Sequence, residues 1–170
     1  MSHAWNKMEW CLKKAEKEMK EKGKHRGLVM AKPDMEEAKR HLKKAEHNLL
    51  AISYFSDGGF SDWSMSAAFY CIYHCFLAIA ANFGYDSKNQ ECTIALIKYL
   101  KQEGKIELDE KFIAALGLFD ETGRHETSII EDREEYTYGT SISVGNKKEI
   151  EKSIALCKEC LNDTKALVLG

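Results

Sequence analysis

Apolar residues recur at steps of three and four along most of the chain, the spacing of an amphipathic helix. Trp5, Met8, Leu12, Ala15 and Met19 form one narrow stripe, which predicts a helix from about Ala4 to Lys22, ended at Gly23. That stripe is free to pack on the body of the chain or on a second chain, and a loop is expected through Pro33. A second helix opens near Asp34, with Glu37 at the capping-box position, and carries Ala38, Leu42, Ala45, Leu49 and Ile52. Asp57-Gly58-Gly59 is a turn. A third helix is entered at Ser61 or Asp62 and ends at Gly84; a fourth starts at Ser87, with Gln90 in its capping box, and stops at Gly104. The fifth runs from about Leu108 to Glu135, with Phe112, Leu116, Phe119 and Ile130 within roughly 40° of one line. Its middle, Asp120 to Ser128, is nearly all polar. Tyr136 to Val144 reads as a loop or irregular strand, and a sixth helix starts at the Asn146 cap, with Ile150, Ile154, Cys157 and Leu161 as its stripe.

Short links between these helices predict an all-α, up-and-down antiparallel bundle of about five core helices plus an N-terminal helix. Residues 1–33 read as the N-terminal helix and linker, and residues 34–170 as the bundle domain.

The third helix is unlike the others. From Trp63 to Tyr85 it has no Asp, Glu, Lys or Arg, a length that could span a bilayer. Ser64, Ser66, His74 and Asn82 interrupt it, and neither flank carries a basic cluster. The one-striped helices around it also need an apolar partner. It therefore reads as a buried central helix, and no membrane partner is expected.

Composition narrows the classes further. One proline in 170 residues is too little punctuation for a β-sandwich. A net charge of −2 excludes a strongly basic body that binds nucleic acid by charge alone, though not a local basic patch, and DNA is not an expected partner. The N-terminal residues are dense in Lys and Glu, without the apolar run of a signal peptide, so the expected location is cytoplasmic. The six cysteines then read as reduced thiols.

Cys71, His74 and Cys75 on the third helix, with Cys157 and Cys160 on the sixth, have residue types that bind zinc. The pairs do not bracket a tight loop, so core filling is the better reading, and neither metal nor cofactor is expected. Burial would also leave Cys71 and Cys75 inert as nucleophiles. No glycine-rich phosphate loop occurs.

The segment Asp132 to Gly139 is more suggestive. Arg133 falls about 60° off the apolar line of its helix and is followed by Tyr136, Tyr138 and a turn glycine. A guanidinium can hold a phosphate in a fork and a tyrosine can stack on a base; the plainer reading pairs Arg133 with Asp132, Glu126 or a partner-chain acid.

Ala38 to Leu50, then Ala67-Ala68-Phe69-Tyr70-Cys71-Ile72-Tyr73-His74, then Gly84-Tyr85-Asp86-Ser87-Lys88, then Arg133 with Tyr138-Gly139, follow one another in an order that resembles the HEPN domain family, in its small prokaryotic and archaeal branch. The resemblance covers roughly residues 34 to 168. It implies a helical bundle, usually dimeric. Many members cut RNA without metal, often as toxins; others are inactive modules that bind nucleotide or RNA, or that pair with a small nucleotidyltransferase. The cutting members carry an Arg, four to six spacers, then a His. Here the permitted positions after Arg133 are Tyr138, Gly139 and Thr140, and after Arg124 they are Ile129, Ile130 and Glu131. Arg40 has His47 at six spacers, but on the second helix, where the family does not place its site. Gln90 stands where the family usually has a His near the start of the fourth helix.

The expectation is thus a homodimeric module without the nuclease histidine and with no catalytic residue assigned. It would bind a nucleotide, an RNA segment or a nucleotidyltransferase partner near Arg133, Tyr136 and Tyr138. Tyr70 and His74, one helical turn apart, and the pair Arg124-His125 are the further candidates for this site. The alternative is a metal-independent, toxin-like ribonuclease whose acid–base group has moved to His125, His74 or a tyrosine.

Overall fold

A computed structural model describes residues 2–116 and 129–170. Seven helices and one two-stranded ladder occur among them: α1 His3–Lys22, β1 Leu28–Met30, α2 Met35–Asp57, α3 Ser61–Asn82, β2 Tyr85–Ser87, α4 Gln90–Gln102, α5 Glu110–Ala115, α6 Ile129–Tyr138 and α7 Lys147–Leu169. Apart from that ladder, the described residues are all-α.

Apolar on nearly every face, α3 is the axis of the bundle. Phe69, Cys71, Ile72, Cys75, Phe76 and Ile79 are buried, and α2, α4, α6 and α7 pack around it. By length and composition α3 could cross a membrane, yet most of it is covered by its neighbours. The helix α2 runs antiparallel to it. Ser64 Oγ donates to Ile52 O at 2.7 Å near the turn, and Asp34 N donates to Ala81 O at 2.9 Å at the far end. Truncating a side chain such as Phe76 at this axis would cost about 3–5 kcal/mol.

Local capping explains several boundaries. Asp34 accepts from Glu37 N at 2.9 Å and opens α2; Asn146 accepts from Lys148 N at 2.9 Å and opens α7. Other boundaries differ from the sequence reading. Asn89, not Ser87, caps α4, because Ser87 belongs to β2 and its hydroxyl bonds to Thr93 Oγ1 at 2.7 Å. Ser61 does not cap α3; its oxygen accepts from Val144 N at 2.8 Å and pins the segment before α7. The fifth predicted helix stops at Ala115 instead of running on, and its weak middle, with Phe119, lies outside the described residues. Tyr136 to Tyr138, expected in a loop, are the last turn of α6.

The N-terminal segment is tied to the bundle at several points. The apolar side of α1 covers α4, with Met8, Cys11 and Ala15 buried and Trp5 against Tyr99 at 5.3 Å between ring centres. The stripe that was free to meet a second chain is therefore covered within its own as far as Ala15, and Met19 at its end is exposed. Inside the expected loop, β1 pairs antiparallel with β2, Val29 opposite Asp86. Gly27 fits where the chain crosses α1; a Cβ there would stand 2.8 Å from Cys11 O. Gly84, at φ 80°, makes the turn from α3 into β2 in a conformation only glycine takes easily.

The reading of six reduced thiols is corrected: Cys11 of α1 and Cys92 of α4 form a disulfide. Their separation of 81 residues hides the pairing from the sequence; the packing of α1 on α4 brings them together. Cys71, Cys75, Cys157 and Cys160 are free and buried.

Candidate functional site

The helix α6 lies antiparallel along α3. Thr137 meets Ser66, oxygen to oxygen, at 3.0 Å. One turn earlier on α6, the guanidinium carbon of Arg133 stands 4.6 Å from the centre of the Phe69 ring and 5.8 Å from that of Tyr70. Both distances suit a cation on an aromatic face. Arg133 Nε is buried and has no hydrogen-bond partner among the described residues. A guanidinium carries five N–H donors in a rigid fork, so a planar cation held by its face keeps its edge for an anion.

The platform under Arg133 is rigid. Phe69 is buried, meets Tyr70 edge-on at 5.0 Å and stacks with Tyr73 at 6.0 Å. Tyr73 in turn reaches Thr93 Oγ1 at 3.3 Å, and burial raises the pKa of its phenol. Tyr70 is 38% exposed and offers an open ring beside the guanidinium.

The other sequence candidates separate. Tyr136, three positions after Arg133, is partly buried and packs against the core. Tyr138 is 79% exposed at the end of α6. It follows Arg133 by five residues, so the two point about 140° apart around the helix and do not share a cleft. Arg124 and His125 lie outside the described residues. Arg40 bonds to Glu37 at 2.6 Å, and His47 is exposed on the same helix.

His74, one turn after Tyr70, has a partner that the sequence did not suggest. Its Nδ1 lies 3.0 Å from Nδ1 of His41 on α2. The ring centres are 5.2 Å apart, about the nitrogen–nitrogen distance plus one ring radius at each end, so the rings meet end on and share one proton. Burial, with His41 and Lys44 nearby, lowers His74 to about 4. Burial lowers His41 as well, opposed by Glu37.

Glu37 Oε1 stands 3.5 Å from Nε2 of His41, close enough to favour a proton on that nitrogen. A proton on His41 Nε2 would leave its Nδ1 to accept from His74 Nδ1–H, and His74 Nε2 with a lone pair. Glu37, His41 and His74 thus lie in a row, carboxylate to imidazole to imidazole, the order in which a carboxylate orients a histidine. A cleft of about 260 Å³ opens beside it, walled by Glu37, His41, Tyr85 and Asp86. Sequence reasoning missed His41 and Glu37. Their only signal was a histidine at the edge of the Ala38–Leu42–Ala45 stripe with a glutamate one turn before it.

His74 therefore does not turn toward the cysteines. Among the described residues, no three His, Cys, Asp or Glu side chains are placed to hold a metal ion. The thiols sit in the α3–α7 core, where Cys157 Sγ reaches Ala68 O at 3.5 Å.

The family model of the HEPN domain matches residues 38–167. The chain belongs to the HEPN domain family. No curated protein matches it significantly. The match runs from the first turn of α2 to the last turns of α7 and contains the Arg133 platform and both histidines. The helix α1 and the strand β1 fall outside the matched HEPN region.

Proposed function

We propose that this HEPN domain is a binding module for a phosphate-bearing ligand, a nucleotide or an RNA segment, held where α6 crosses α3. Arg133 would take the phosphate and Tyr70 would stack on the base. The observation that carries this reading is the guanidinium of Arg133 lying 4.6 Å over Phe69 with its Nε unbonded. A cation already fixed by stacking loses little freedom when an anion arrives.

A second reading, a metal-independent ribonuclease with a displaced acid–base group, is favoured by the Glu37–His41–His74 chain. His74 Nε2 would be the group that takes the proton. One experiment separates the two. RNA is incubated in EDTA with the wild type, Arg133→Ala and His74→Ala, then run on native and denaturing gels. Binding without cutting, lost in the variant, supports the module. Cutting lost in both Arg133→Ala and His74→Ala supports the ribonuclease.

Self-association fits the same account. Leu50, Tyr54, Phe60 and Trp63 are exposed at the α2–α3 turn, and so large an apolar group on one end of a bundle suits a second copy of the chain.

A further inference from the structure

Charge is unevenly spread along this chain. Residues 1–33 hold eight Lys, one Arg and four Glu, a net of +5, whereas the whole chain is −2 and residues 34–170 therefore carry −7. The basic segment is the part outside the family match, and it is fastened to the bundle by the Cys11–Cys92 disulfide and the β1–β2 ladder.

Its surface has a definite shape. An open groove of about 580 Å³ runs between α1, the segment before β1 and the start of α4, with Lys14, Arg26 and Lys88 along it. Trp10 stands beside the groove on α1, 49% exposed. Lys7 Nζ lies 4.5 Å and Lys14 Nζ 5.2 Å from the centre of its ring. Three carboxylates face these cations: Glu91 takes Lys7 at 2.8 Å, Glu18 lies 3.9 Å from Lys14, and Asp86 lies 3.6 Å from Lys88. The guanidinium of Arg26 makes no ion pair among the described residues; Glu18 bonds instead to its backbone N–H at 2.6 Å. The Lys7–Glu91 and Lys88–Asp86 pairs are exposed and exchange readily for another anion.

We infer that this face docks single-stranded RNA, its phosphates along Lys14, Arg26 and Lys88 and one base stacked on Trp10. The row of cations complements a polyanion, and the indole needs an unpaired base to stack on, which excludes a duplex. The choice of RNA rests on the reading of the Arg133 site; the charge and the exposed indole do not.

The test is fluorescence anisotropy with a labelled 20-nucleotide oligouridine at 50 to 200 mM salt. The proteins are the full-length wild type, Arg26→Glu/Lys88→Glu, Trp10→Ala and Arg133→Ala, each shown by its thermal melt to be fully folded at the assay temperature. The wild-type log–log salt slope is expected near −2, about −0.7 for each of three phosphate contacts. Arg26→Glu/Lys88→Glu should weaken binding at least tenfold and flatten that slope. Trp10→Ala should cost about 5- to 100-fold with the slope retained. The face is overturned if the double variant keeps wild-type affinity and slope while Arg133→Ala loses binding; the Arg133 reading then survives alone. If Arg133→Ala is silent and the double variant fails, the face stands and the Arg133 reading falls. Capture by phosphatidylserine vesicles with no binding of the RNA would also overturn this assignment.

Discussion

Arg133 of α6 is stacked on the buried ring of Phe69, its guanidinium carbon 4.6 Å from the ring centre. The contact fixes the cation by its face, and Thr137 against Ser66 keeps the two helices in register. Arg133→Ala should therefore leave the bundle folded, at a cost of about 1–2 kcal/mol from the lost stacking, while weakening a phosphate ligand by about 10- to 100-fold. Arg133→Lys keeps the charge but loses the planar fork, and should recover only part of the affinity. Titration calorimetry on the three proteins reads the affinities, and their urea unfolding reads the stability cost.

The His41–His74 pair makes stability depend on pH. His74 is held at about 4, below its ordinary 6.5, and His41 is lowered too, both mainly by burial. Between those values the unfolded chain takes up a proton that the folded pair refuses. The stabilisation is complete above pH 6.5, falls as the pH drops toward 4, and levels off below it. Urea midpoints at pH 7, 5.5 and 4.5 should decline in the wild type and decline less in His74→Gln. Equal losses in both proteins would remove the pair as the cause.

Reduction should loosen the N-terminal segment. The Cys11–Cys92 bond closes a loop across 81 residues, for which the chain-entropy account gives roughly 4 kcal/mol. Adding a phosphine reductant, or making Cys11→Ser/Cys92→Ser, should lower the melting temperature by several degrees. An unchanged melt in the double serine variant would mean that burial of Met8, Ala15 and Leu28 alone holds α1 in place.

The apolar turn between α2 and α3 carries the prediction on assembly. Tyr54→Glu/Trp63→Glu places charges where exposed rings now sit and should shift a dimer to a monomer on a sizing column. A wild-type monomer at micromolar concentration would contradict the self-association reading.

The sequence spoke most clearly where structure is local. The caps at Asp34 and Asn146, the stop at Gly23 and the charge-free stretch of α3 each depend on residues a few positions apart, and each lies where the pattern put it. It was silent where contacts join distant segments. Three-residue strands such as Leu28–Met30 and Tyr85–Ser87 have no periodicity of their own, and Ser87 looked like a helix cap because its strand partner was unseen. The same holds for the site. Arg133 and Tyr70 were legible as candidates by residue type, and α6 brings them within 5.8 Å of each other. Tyr138 was grouped with them by its place between Arg133 and a turn glycine; the helix turns it away. The histidine partner of His74 lies 33 residues back on another helix, beyond any spacing rule.

The central claim is that Arg133 on its aromatic platform binds a phosphate-bearing nucleotide. The most direct measurement is a calorimetric titration of a nucleoside monophosphate into the wild-type protein and into Arg133→Ala at low salt and neutral pH. Saturable binding by the wild type, reduced at least tenfold in a variant still folded at the assay temperature, is the predicted result. Equal binding by both proteins, or heat from neither, would contradict the account.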